Sequence, residues 1–126
     1  MSPCADAQVF GSLDPVTVPE FLLDEAARRF ALLSDPTRLR ILALLIEREP
    51  MTVTELSDSL GIAAPNVSQH LARLSAGRLV GREKQGRTVQ YRITDPSLGP
   101  LCELTCNSLV EQAERLLSRP PEARAG

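Results

Sequence analysis

Tryptophan is missing from the 126-residue chain, and its aromatics amount to Phe10, Phe21, Phe30 and Tyr91, 3% of residues. The core is therefore expected to be aliphatic, and a platform stacking single-stranded bases is excluded for want of rings. Histidine occurs once, as His70, which leaves little material for acid–base catalysis or an imidazole-rich zinc centre. Cysteine occurs three times, at Cys4, Cys102 and Cys106. That number is too small and too odd for a disulfide framework and suits a reducing compartment. No apolar run approaches the roughly 18–20 residues a membrane helix needs. The N-terminus lacks a basic region followed by an apolar core, so no membrane or secretory role is indicated and a cytoplasmic location is expected. A Gly-rich phosphate loop and a nucleophile–base pair are also missing, which argues against an enzyme.

What is present is ordinary for a single globular domain: 43% hydrophobic and 24% charged residues. The net charge of −2 at first opposes a nucleic-acid partner, but the charges are not evenly spread. Between positions 64 and 92 the bases Arg73, Arg78, Arg82, Lys84, Arg87 and Arg92 face one acid, Glu83. Acids concentrate near the ends, among them Asp14, Glu20, Asp24, Glu103, Glu111 and Glu122. A polyanion responds to local potential, so this segment fits one, and it equally fits a solvated basic face.

Pro3, Gly11, Pro15 and Pro19 mark residues 1–18 as a flexible arm, and residues 119–126 read as a flexible tail. Between them, 19–118 reads as one folded domain. A first helix over about 19–33 carries Phe21, Leu22, Ala26 and Phe30 on one face. Asp35 and Pro36 provide a cap and a first helical residue for a second helix ending near Arg48, with Leu39, Leu42, Leu45 and Ile46 inward. Thr52 and Glu55 have the spacing of a capping box, and Val53, Leu56 and Leu60 share the face of the short helix that follows. After a turn at Gly61, Val67, Leu71 and Leu74 recur at helical spacing from about 64 to 76, and Gly77 ends that helix. Two strands, 78–82 and 88–94, are expected around a turn over 83–87. A terminal helix from about Ser97 to Ser118 has leucines on more than one face, which calls for burial against a second chain.

This order is that of a winged helix-turn-helix: mainly α with a small β-wing, and a homodimer through the terminal helices. A helix fits the major groove, where Asn66, Ser68, Gln69 and His70 would read base edges and Arg73 a phosphate or guanine. Lys84, Gln85 and Arg87 on the wing would follow the phosphates or the adjacent minor groove. At these residues the chain resembles the ArsR/SmtB family of metal(loid)-responsive repressors. The matching text is Leu33-Ser34-Asp35-Pro36-Thr37-Arg38-Leu39-Arg40-Ile41-Leu42, then Asn66-Val67-Ser68-Gln69-His70-Leu71, then Gly86-Arg87 and Val89-Gln90-Tyr91-Arg92. The resemblance covers roughly 20–117 and implies a homodimer that binds an inverted-repeat DNA operator and leaves it when an inducer binds. It places His70 on the DNA-reading helix.

The resemblance also implies where an inducer could bind. A thiolate site ahead of the reading helix would need cysteines where this chain has Thr52, Thr54 and Ser57. A zinc-type site across the terminal helices keeps Asp95 and Glu111, but Ser97 and Ser108 replace its histidines. Cys102 and Cys106 remain, one helical turn apart with Cβ atoms about 5–6 Å from each other. With Cys4 as a third sulfur they would suit As(III) or Sb(III), and Cd(II) or Pb(II) next. The alternatives are two small buried apolar residues, a thiol redox or sulfide switch, or a winged-helix protein-interaction module without DNA. An i,i+4 disulfide would have to distort its helix, which weighs against the redox switch.

Overall fold

Local capping sets most of the chain's divisions. The computed structural model describes residues 19–118; the segments 1–18 and 119–126, and Cys4 with them, lie outside the described residues. Helix α1 spans Glu20–Leu33 and α2 spans Pro36–Arg48, separated by a two-residue turn. The Asp35 side chain accepts the Arg38 N–H at 2.9 Å, capping α2 with Pro36 in its first turn. Arg38 in turn donates from Nε to the Leu32 carbonyl at 2.7 Å, satisfying the end of α1. Thr52 and Glu55 form the expected capping box on α3, Val53–Leu60, and Gly61 ends it at φ +67, the left-handed conformation glycine adopts without strain. Helix α4 spans Ala64–Ala76.

Two strands become three. Met51–Thr52 forms a short β1 that pairs with β3, Thr88–Ile93, which also pairs with β2, Val80–Gln85, giving the antiparallel order β1-β3-β2. Two residues offer no periodicity to read, so β1 is invisible in sequence. The hairpin is tighter than expected: Glu83, Lys84 and Gln85 pair with β3, leaving Gly86-Arg87 as the turn. Gly86 at φ +63 supplies the first position of a two-residue hairpin loop.

The core is aliphatic, as the scarcity of rings required. Ile41, Leu42 and Leu45 of α2, Leu56 of α3, Val67, Leu71 and Leu74 of α4, Leu79 and Leu98 are fully buried, with Leu33, Met51 and Val80 nearly so. Tyr91 and Ile93 of β3 pack against this cluster. The expected inward faces need correction in two helices. Leu39 and Ile46 are 40% and 38% exposed, because the α2 face that meets α4 is centred on Ile41, Leu42 and Leu45 instead. Of α1, only Leu33 is buried, while Phe21 and Phe30 are more than half exposed. The end of α4 also departs from expectation. Arg78, not Gly77, takes the left-handed conformation at φ 63, with Leu79 N–H bonding to Leu74 O and Arg78 N–H to Ser75 O in a Schellman motif. Gly77 is needed for closeness instead: a Cβ there would lie 2.2 Å from Leu32 Cδ1.

The last helix, α5, spans Leu98–Ser118. Asp95 starts it by accepting the Ser97 N–H at 2.9 Å and the Ser97 hydroxyl at 2.7 Å, and it ion-pairs with Arg29 of α1 at 2.8 Å. Burial would raise the Asp95 carboxyl, but the Ser97 bonds and Arg29 outweigh it and hold it below the usual carboxylate range. Among the described residues no helix is long and apolar enough to cross a membrane.

Candidate nucleic-acid interface and thiol pair

Helix α4 is held from behind by Val67, Leu71 and Leu74, all fully buried against α2 and α3. Spacing of three and four residues therefore commits the opposite face to solvent, and Asn66, Ser68, Gln69 and Arg73 are exposed on it. The start of α4 has no side-chain cap: Ala63 is the cap residue and Pro65 lies in the first turn. Free backbone N–H groups at such a start favour an anion. Amide and hydroxyl groups early in the helix, with a cation one turn on, form a surface able to hydrogen-bond base edges and neutralise a phosphate.

His70 is placed differently from its neighbours. Its Nδ1 is buried 4.0 Å from Asp35 Oδ2, with no hydrogen-bond partner among the described residues, and the side chain is 23% exposed. The ring thus ties α4 to the cap of α2 and orients the outer face more than it extends it. Asp35 itself is held below the usual carboxylate range by the Arg38 N–H bond first, then by the charges of Arg38 and His70.

On the wing, Lys84, Gln85 and Arg87 are all exposed. Because strand residues alternate between faces, Lys84 shares a side with Arg82, and Gln85 points to the opposite side, donating from Nε2 to Glu83 Oε1 at 3.1 Å. The row available to one phosphate chain is therefore Arg82, Lys84 and the turn residue Arg87. Arg82, which the sequence reading counted only as charge, joins the candidates through the longer β2. Arg92 is partly neutralised by Glu83 at 3.1 Å.

Cys102 and Cys106 lie on the flank of α5 that faces α2, both as free thiols, the first half-buried and the second exposed. They line a shallow groove of about 400 Å³ with Ala43 and Ile46 of α2 and Gly99, Pro100 and Glu103 of α5. Burial pushes the Cys102 thiol up, and the neighbouring Cys106 adds to the rise. Among the described residues no cluster of three His, Cys, Asp or Glu side chains could hold a metal ion. Two sulfurs are what this part of the chain offers. The zinc-type positions are otherwise engaged: Asp95 by Arg29 and Ser97, Glu111 by Arg115 at 3.6 Å, and Ser108 Oγ by Gln112 Nε2 at 3.2 Å.

A family model described as a helix-turn-helix domain matches residues 33–82, from the end of α1 into β2. Over 85 residues the chain is 38% identical to the HTH-type transcriptional regulator KmtR of Mycobacterium tuberculosis, spanning 68% of this chain and 65%, just under two thirds, of KmtR. Over 94 residues it is 36% identical to a probable mercury resistance operon repressor of Streptomyces lividans, spanning 75% of this chain and 74% of that one. The solution structure of Mycobacterium bovis Mb0332 is described as a homodimeric winged helix-turn-helix DNA-binding domain of a possible ArsR-family transcriptional regulator. It matches with a TM-score of 0.70 at 25% identity, over 95% of this chain and 100% of that one. The chain belongs to the ArsR/SmtB family of winged-helix transcriptional regulators. As in other ArsR/SmtB winged helices, α3, α4 and the β2–β3 hairpin form one continuous unit here, and α1 and α5 flank it.

Proposed function

We propose that this ArsR/SmtB member is a cytoplasmic, non-enzymatic homodimeric repressor. It binds an inverted-repeat double-stranded operator and leaves it when a thiophilic inducer binds Cys102 and Cys106, with Cys4 as a third sulfur. Asn66, Ser68 and Gln69 read base edges, with His70 orienting them. Arg73 and the wing residues Lys84, Gln85 and Arg87 hold the backbone, with Arg82 beside them. Dimerisation covers the apolar residues exposed on α1 and α5, among them Phe21, Phe30, Leu109 and Leu117.

The observation that carries the inducer reading is the groove between α2 and α5, where the two thiols meet α2. Helix α2 also packs on α4, so an adduct that shifts α5 against α2 moves the reading helices of the two subunits relative to each other. As(III) and Sb(III) rank ahead of Cd(II) and Pb(II) for a reason of proton balance. As(OH)₃ condenses with three thiols to form three As–S bonds and release three waters, with no net proton. A divalent cation must expel thiol protons, which the raised Cys102 thiol resists. The same raised thiol slows oxidation, so a redox signal ranks lower.

Titration of the reduced dimer on labelled operator DNA, with As(III), Sb(III), Cd(II), Pb(II), Zn(II) and an oxidant in separate arms, tests this. Release by As(III) or Sb(III) is expected, amounting to about 1–3 kcal/mol of coupling. It should vanish in the Cys102→Ser, Cys106→Ser double variant. Continued release by that variant would place the inducer elsewhere, and no salt-dependent binding to any duplex would remove the DNA reading.

A further inference from the structure

The two thiols open onto a groove whose other walls are almost wholly apolar. Ala43 and Ile46 line one side, Gly99 and Pro100 the other, and Glu103 is the only ionisable side chain besides the thiols. A methyl group built on Gly99 meets nothing within 4 Å, so the groove has room beyond the sulfurs. Among the described residues no third metal-ligating side chain joins Cys102 and Cys106. A trivalent arsenic centre on these two sulfurs has one valence left, and it points into apolar space. A hydroxyl there would be poorly solvated; a carbon substituent would be buried favourably.

Resting on the inducer reading above, we infer that this groove selects monosubstituted trivalent organoarsenicals, R–As(OH)₂, over inorganic arsenite. In the reaction two As–O bonds break and two As–S bonds form. The two thiol protons leave with the hydroxyls as two waters, the As–C bond stays intact, and arsenic remains trivalent. The product R–As(S-Cys)₂ is neutral and has no open valence, so it needs no sulfur from outside the α5 pair. The balance releases no proton, which suits a thiol that burial holds in its protonated form. Ala43 and Ile46 thereby act as the contacts that recognise R. Because both belong to α2, the substituent pushes on the same helix that supports α4.

The test uses the full reduced chain on operator DNA with phenylarsine oxide, methylarsonous acid and sodium arsenite, alongside intact-mass spectrometry. Phenylarsine oxide is expected to release the operator at a concentration at least about tenfold below arsenite. It should add one phenylarsenic group per protomer in place of two hydrogens. Both effects should persist in Cys4→Ser and disappear in Cys102→Ser and in Cys106→Ser. Ala43→Leu, at an exposed position that fills the groove, should weaken phenylarsine oxide by about tenfold and leave arsenite little changed. Equal potency of arsenite and phenylarsine oxide in Cys4→Ser overturns the inference, as does an Ala43→Leu variant with unaltered selectivity. A selective adduct at Cys102 and Cys106 that leaves the operator bound supports the groove's selectivity while overturning the inducer reading. Absence of any adduct overturns both.

Discussion

Helices α4 and α5 carry the same kind of apolar repeat and meet opposite fates. In α4, Val67, Leu71 and Leu74 are all fully buried by the chain's own α2 and α3. In α5, 21 residues long, Leu98 alone is buried, and Leu104, Leu109, Val110, Leu116 and Leu117 are at least half exposed. The reading helix is therefore oriented by the core of its own subunit, which fixes what its outer face presents. The terminal helix is anchored only at its start, by Asp95, Arg29 and Leu98. Its remaining length depends on whatever covers it. A rigid reader joined to an under-determined lever is an arrangement in which a small adduct on the lever can shift the reader's partner geometry without unfolding either.

The largest test of this contrast truncates one leucine in each helix. Leu71→Ala should cost about 2–5 kcal/mol of folding stability by opening a core cavity. Leu109→Ala should leave the subunit's fold intact and weaken self-association instead. Denaturant melts and sedimentation equilibrium separate the two, and a large loss of subunit stability from Leu109→Ala would erase the distinction. On the outer face of α4, Gln69→Ala should lose about 1–3 kcal/mol of discrimination between operator and mismatched DNA. Lys84→Ala should weaken all duplexes alike and reduce the salt slope by about one phosphate contact. Equal losses on specific and random DNA from Gln69→Ala would deny α4 its reading role.

Gly77→Ala probes the joint between reader and α1. The added Cβ meets Leu32 Cδ1 at 2.2 Å, and a destabilisation of about 1–3 kcal/mol is expected from that overpacking. Substituting Arg78 by glycine, which relieves the left-handed backbone, should instead gain up to about 1 kcal/mol. The smallest effect concerns the anchor of α5. Asp95 titrates below its unfolded value, so its contribution is present above the ordinary carboxylate pKa and lost as pH falls through the folded one. Asp95→Asn should accordingly lose stability at neutral pH and show a shallower decline than wild type on acidification below about pH 4. Parallel acid limbs in thermal melts would show that the carboxylate does not carry this dependence.

Much of the architecture is legible because its signals are local. Asp35-Pro36, the Thr52–Glu55 box and Gly61 each cap a helix through neighbours in sequence, and α2 and α4 have the expected limits. Where the reading erred, the deciding atoms are far apart in the chain. The exposed side of α2 around Leu39 and Ile46 depends on where α4 and α5 pack. The pairing that draws Lys84 and Gln85 into β2 depends on β3. His70 faces Asp35 because two helices cross there, 35 residues apart in sequence.

For the candidate site the division is similar. Sequence spacing alone determined that Asn66, Ser68, Gln69 and Arg73 share one face of α4, and that Cys102 and Cys106 stand one turn apart, since helical periodicity needs no partner. It also determined the basic segment that the net charge conceals. Only the tertiary structure decided that Lys84 and Gln85 part to opposite sides of a strand, that His70 turns toward Asp35, and that the two thiols open onto an apolar groove against α2. Those outcomes rest on burial and contact between distant segments. A one-dimensional pattern specifies which face an element must hide, and the packing of the other elements specifies what that face meets.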